Sequence, residues 1–367
     1  KTVVRYLDVN AGTWGHPVQS AGRERGFQSF TFHPQFGQSG TPGYGKFYTY
    51  FDTSNMAPTP DFLPTGGDRP SHDTVLLEWT ARTAGAATYD GSAPRELLRL
   101  RQPFANHNAG HMAFNPLAAP GSAEFGLLYF GVADGGSGGD PFNMSQNMAS
   151  PFGKVLRIDP LGNNSRNKKY GVPSDNPFVK TAGALPEIYA YGLRNGQRFA
   201  WDPKNGNLFL ADIGQNIVEK VTLVPPGANL GWNAWEGSFR FISRQAVSME
   251  AQRSDPKVTY PVVEYGQIDP LLQSQAAANG VVVYRGSQIP QLANLVLFTD
   301  MPSGEIFYFS ADLLPRGGQD PIRRVLIRGS GTPRTVLQVI QEKNAAQGKT
   351  AATRLTGVAD AGAGLDH

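Results

Sequence analysis

The chain of 367 residues contains no cysteine. That excludes disulfides, thiolate nucleophiles, zinc–thiolate centres and covalent c-type haem within it. Histidine is scarce: there are six, and no pair has the H-E-x-x-H spacing of a metalloprotease. No uninterrupted apolar run approaches the roughly 18 residues of a membrane helix, so no membrane span is expected. There is no P-loop, no G-x-S-x-G elbow and no strand-linked G-x-G-x-x-G, so nucleotide cofactors gain no support. A net charge of +3 is too small to argue for nucleic acid as a partner. No charged-then-apolar leader opens the chain at Lys1, so any signal peptide is expected to have been removed or never to have existed.

Glycine (43) and proline (28) are plentiful, and so are Phe (21) and Tyr (13). Helices tolerate such punctuation poorly, whereas short strands joined by tight turns need it. One pattern recurs: an aromatic residue, a proline two positions on, a glycine turn, then an apolar strand. It occurs as Phe32-His-Pro34 leading to Gly45 and Lys46–Tyr50, as Phe114-Asn-Pro116 leading to Gly126–Asp134, and as Trp201-Asp-Pro203 leading to Gly206–Asp212. A weaker echo is Leu295–Asp300 followed by Ser303–Phe309. Each copy reads as strand, turn, strand. Repeated hairpins without a helical period favour radial repetition, and therefore a propeller over a sandwich. No linker divides the chain, so residues 1–367 are read as one domain. The long segments Asp52–Thr74, Gly135–Gly153, Arg157–Leu185 and Ser238–Lys257 read as irregular loops that build a pocket at one face. The only helix-permissive stretch runs from about Thr335 to Asn344.

His107, in Asn106-His-Asn-Ala-Gly110, stands just before the second copy, and Asp134 closes it. Adjacent strands would bring the two together, and a histidine oriented by a carboxylate is a standard general base. A structural histidine in a turn is the other reading; His33 is read as structural. Arg194-Asn195 ends a short apolar strand, and a guanidinium suits carboxylates or quinone oxygens, although such an arginine is also a common surface ion-pair residue. Backbone carbonyls in the Asp212-Ile-Gly-Gln-Asn216 turn could hold a hard cation such as calcium. Between Pro321 and Arg354 the bases Arg323, Arg324, Arg328, Arg334, Lys343, Lys349 and Arg354 face a single acid, Glu342. That stretch is either a solvated face or a pole attracting an anionic ligand.

The segments Arg25–Pro34, Asn106–Pro116, Ala133–Pro141, Phe152–Pro160, Tyr191–Asn195, Leu210–Asn216 and Val283–Gly286 together resemble the soluble quinoprotein glucose/aldose (sorbosone) dehydrogenase family, in family order. The resemblance implies an all-β, six-bladed propeller of mostly four-stranded antiparallel sheets holding pyrroloquinoline quinone (PQQ) and calcium. It implies oxidation of an aldose at its anomeric carbon to the lactone, in a periplasmic or secreted protein. An external electron acceptor, such as a cytochrome, would then be a partner. By position, His107 looks like the catalytic base and Asp134 like its orienting carboxylate. Arg194 and Asn195 look like ligands of the quinone oxygens, Arg285 and Arg354 like further cofactor contacts, and the carbonyls of Gly214 and Gln215 like the calcium site. Lys1–Leu7 looks like the second strand of the opening hairpin, and the residues after Arg354 depart from the family pattern, so the terminal strands read as incomplete. Two other functions stay open. One is a non-catalytic recognition module. The other is a calcium-dependent lactonase-like hydrolase, which would need Asp134, Asp212 and Asp300 around one ion.

Overall fold

A computed structural model describes residues 3–22, 24–67, 72–108, 110–272, 276–328 and 331–349. The chain packs as two compact units, Lys1–Tyr189 and Ala190–His367. In the first, β1 (Phe27–Phe32), β2 (Lys46–Thr53), β3 (Asp73–Thr80) and β4 (Arg95–Arg101) form one antiparallel sheet in chain order. A second sheet follows from β5 (Met112–Phe114), β6 (Leu128–Val132), β7 (Lys154–Ile158) and β8 (Ile188–Tyr191).

In the second unit, β9 (Gly196–Trp201), β10 (Leu208–Asp212) and β11 (Val218–Leu223) are followed by a small separate sheet. That sheet contains β12 (Trp235–Glu236), β13 (Phe239–Ser243) and β14 (Ala246–Ser248). The chain then returns as β15 (Val263–Gly266) to complete the order β15-β11-β10-β9. The last sheet is β16 (Ala278–Tyr284), β17 (Leu295–Asp300), β18 (Glu305–Ser310) and β19 (Arg323–Arg324). The fold is therefore all-β, with mostly four-stranded antiparallel sheets. Among the described residues one α-helix, α1 (Val336–Ala346), lies where the sequence permits it, started by a capping box between Thr335 and Gln338.

The recurring motif has a common structural meaning. In each of the first three copies the aromatic-x-Pro closes the first strand of a sheet, and a glycine with positive φ launches the second: Gly45, Gly126 and Gly206. At Gly45 a Cβ would sit 2.1 Å from the Ala81 carbonyl, so no other residue fits without moving backbone. The fourth echo is displaced by one strand. Leu295–Asp300 is β17, the second strand of its sheet, so the quoted hairpin is the next one along. The stretch Ser238–Lys257 is also not irregular throughout, because β13 and β14 pair within it. Residues 3–7 form no strand; Tyr6 instead packs edge-on against Phe47 and Tyr89.

The second strands β2, β6 and β10 are buried almost along their length, as expected of strands covered on both faces, whereas β17 alternates buried and half-buried residues. In the first unit Phe47 and Trp79 stack at 6.0 Å, with Trp14 edge-on to Trp79. In the second, Phe209, Phe298, Phe307, Phe309 and Tyr265 share one core. In each four-stranded sheet a buried aspartate lies within two residues of the end of the second strand: Asp52, Asp134, Asp212 and Asp300. Each reaches back to the segment preceding the first strand of its own sheet. Asp52 accepts from the Gly26 N–H, Asp212 from those of Arg194 and Asn195, and Asp300 from that of Ala277. These bonds satisfy backbone donors that would otherwise be buried unpaired.

Candidate functional site

In the sheet β5–β8 the aspartate is used differently. Asp134 accepts from the Nδ1 of His107, a side chain of the preceding segment, at 2.8 Å. Both side chains are buried. It also accepts from the Gly136 N–H, at 2.9 Å to the same oxygen. A Cβ at Gly136 would meet Asn106 at 2.4 Å, which explains the glycine pair after Asp134. His107 itself sits at φ 51°, a left-handed conformation that costs energy for a side-chain-bearing residue. The surroundings hold it there. Glu24 accepts from its N–H at 3.0 Å, and its carbonyl accepts from Gly135. Asn108 Nδ2 closes the turn by donating to Phe104, Asn106 and Gln102. With Nδ1–H committed to a carboxylate, Nε2 carries the lone pair. It meets no partner among the described residues and is not sealed from solvent. The pair that sequence reasoning placed together is therefore together, with its basic nitrogen free.

The irregular segment Gly135–Gly153 leaves from Asp134 and returns beside it, where Gly153 N–H donates to Ala133 O. Lys154, fully buried, clamps it by donating to the carbonyls of Met144, Ser145 and Phe152 at 2.6–2.9 Å. Asp140 holds the opposite side of the same turn through the N–H groups of Met144 and Ser145. Burial pushes the Lys154 ammonium down to about 7. His33, by contrast, is structural: it packs on Phe114, its Nδ1 accepts from Gln35, and burial holds it neutral with a pKa of about 4.

In the second unit Arg194 and Asn195 enter β9. Their amides bind Asp212, which also pairs with buried Lys220 at 3.1 Å. The Arg194 guanidinium is 6% exposed, donates to the Ile213 carbonyl at 3.0 Å and lies over the ring of Trp232. Its Nε is buried with no acceptor, and no carboxylate among the described residues pairs with the charge. A buried cation in that state calls for an anionic ligand. PQQ, a tricarboxylate, meets that requirement.

The amides of Gln215, Asn216, Ile217 and Val218 all converge on Glu236 Oε1 at 2.8–3.2 Å. In a trans peptide N–H and C=O point in opposite directions. The carbonyls of Gly214 and Gln215 therefore face away from Glu236. A Cβ at Gly214 would lie 1.7 Å from Val218 O. Among the described residues no group of three or more acids and histidines could hold a metal ion, which leaves the carboxylate-ringed hydrolase site without support.

One expected cofactor contact, Arg285, is not found with Arg194. Arg285 forms a bidentate pair with Asp202 at 2.6–2.8 Å and a second pair with Asp312. Asp202 follows the last residue of β9, whereas Arg194 precedes its first. At about 3.3 Å per residue the six-residue strand separates them by roughly 20 Å. Arg354 lies outside the described residues. The basic stretch is partly neutralised, because Arg324 pairs with Glu305 and Arg334 with Glu342. Sequence reasoning missed Glu24, Lys154, Trp232 and Glu236. Their roles depend on which turn faces them, and no local motif marks that.

Residues 13–320 match the family model described as Glucose / Sorbosone dehydrogenase. HIPL1 protein of Arabidopsis thaliana is 30% identical over 311 residues, 76% of this chain and 43% of its own length. Human Hedgehog-interacting protein is 27% identical over 304 residues, 80% of this chain and 36% of its own. The chain thus spans less than half the length of these curated relatives. The PQQ-bound form of aldose sugar dehydrogenase from Streptomyces coelicolor shares the fold: TM-score 0.53, 20% identity, 87% of this chain and 69% of that one.

Proposed function

The chain belongs to the glucose/sorbosone dehydrogenase family, and from that premise we propose that it is a PQQ-dependent sugar oxidoreductase built as a six-bladed propeller. The substrate is an aldose, oxidised at its anomeric carbon to the lactone. The observation that carries this reading is the His107–Asp134 pair. Of the four equivalent aspartates this one accepts from a side-chain imidazole, where Asp52, Asp212 and Asp300 accept from backbone amides of the preceding segment.

When bound, PQQ would supply a two-electron acceptor and calcium a Lewis acid. The chain's own residues do the rest. His107 Nε2 takes the proton of the anomeric hydroxyl. Asp134 fixes the imidazole in the tautomer that leaves Nε2 unprotonated, and stabilises the imidazolium once the proton arrives. The strained turn at His107, fastened by Glu24 and Asn108, holds the ring in place before substrate binds. Arg194 and Asn195 are the proposed contacts of the cofactor's oxygens, and the Gly214 and Gln215 carbonyls those of the calcium ion. Electrons leave to an external acceptor, and the setting is periplasmic or secreted.

A second reading is a recognition module without catalysis, favoured by the similarity to Hedgehog-interacting protein. Binding of PQQ with calcium, followed by His107-dependent oxidation of an aldose, separates the two. A folded chain that binds no quinone would leave the recognition module standing.

A further inference from the structure

Away from His107, the first unit contains a cavity of about 400 Å³ between Phe62 and the long connection from Asn164 to Glu187. Its walls are largely apolar, with Phe62, Val172, Val179 and Leu185 each only partly buried. Glu187, which lines it, is 4% exposed. Glu187 Oε1 accepts from the Tyr170 hydroxyl at 2.7 Å, and burial pushes that phenol well up, so it stays neutral. Oε2 is sealed from water and has no partner. No cation among the described residues pairs with this carboxylate. Arg166, the cation in the cavity lining, is stacked on Phe62 at 5.2 Å and donates to the Asp61 carbonyl.

A buried carboxylate without a cation is costly, and a bound cation removes the cost. The remaining polar groups narrow the choice of ligand. Asn164 spends its amide on the N–H and C=O of Val172, and the Ser165 hydroxyl is engaged by Asn167 and Tyr170. A sugar would bring several hydroxyls and find few partners; an anion would meet Glu187. We propose that this cavity binds a primary ammonium group carried on a short apolar chain, with the ammonium on Glu187 and the chain against Val172, Val179 and Leu185. The site is separate from the proposed sugar chemistry and does not depend on it.

The test uses the full chain with n-butylammonium chloride, n-butanol and sodium butyrate as probes, followed by calorimetric titration and melting temperature. Butylammonium is expected to bind saturably and raise the melting temperature, while butanol and butyrate do neither. Glu187→Gln should weaken butylammonium by roughly 10- to 100-fold, the range of a charge-assisted hydrogen bond. Equal binding of butanol, or unchanged affinity in Glu187→Gln, would overturn the proposal. Should Glu187→Gln fail to fold, Val179→Trp fills the cavity from its apolar side. It must abolish binding, and persistent saturable binding in that variant overturns the proposal as well.

Discussion

Replacing Asp134 by asparagine keeps the shape of the side chain and removes its charge. In the structure one Asp134 oxygen accepts from both His107 Nδ1 and the Gly136 amide. An asparagine that keeps its oxygen on Gly136 still accepts from Nδ1, but without the charge; one that turns its nitrogen inward faces a donor with a donor. Hydrogen bonds to charged groups contribute about 1.5–3 kcal/mol, so the preference for the Nδ1–H tautomer falls by roughly 10- to 150-fold. The imidazolium formed on proton transfer also loses its counter-charge. A positioned general base contributes about 10²–10⁴ in rate, and the loss in dye-linked aldose oxidation should fall within that span. Heteronuclear NMR of the His107 ring reads the tautomer directly, and the variant should show protonated Nε2. Asp300→Asn is the control. It occupies the equivalent place and holds Tyr265, Ala277 and Ser303 instead of a histidine. It should cost about 1–3 kcal/mol of stability and leave turnover within about threefold. A D134N protein that keeps the Nδ1–H tautomer and its turnover would refute the assigned role, and so would equal damage from D300N.

Arg194→Met removes a buried, unpaired charge; it should leave the cofactor-free chain at least as stable while weakening PQQ binding by roughly 10- to 100-fold, read by denaturation and quinone absorbance. Gly214→Ala places a Cβ 1.7 Å from Val218 O, so the turn must move and calcium affinity should drop, as titration calorimetry would record. Glu219 is buried and its carboxyl is pushed up to about 7, first by desolvation, from an ordinary 4.5. The folded chain thus binds this proton more tightly than the unfolded one. Its contribution is fully present below pH 4.5 and is lost as pH rises through 7, by up to about 3 kcal/mol. Glu219→Gln should flatten that slope in urea midpoints measured from pH 4.5 to 8, and an unchanged slope would contradict it.

Much of the fold was legible because the turns carry strict chemistry. Gly45, Gly126 and Gly206 each need a left-handed backbone before the second strand, and each is preceded by its aromatic-x-Pro. The His107–Asp134 pair was legible for the same reason: both positions are counted from the ends of recognisable strands. The hairpin β13–β14 was not, since Phe239–Ser248 has no Gly–Asn turn and interrupts a larger sheet. Arg285 was misplaced because its motif gives a strand end but not which end of β9 it faces; Asp202 and Asp312, distant in sequence, decide that. Lys154 reads as an ordinary strand residue, and only the closed path of Gly135–Gly153 turns it into a clamp. The cavity at Glu187 is invisible for a related reason, because its walls come from segments a hundred residues apart.

The most direct measurement is a titration of metal-free chain with PQQ and calcium, following quinone absorbance and then dye reduction with a panel of aldoses. The expected result is stoichiometric, calcium-dependent binding and sugar-dependent dye reduction that His107→Ala abolishes without loss of cofactor. A demonstrably folded chain that binds no quinone, or one whose sugar oxidation survives His107→Ala, would contradict the proposed function.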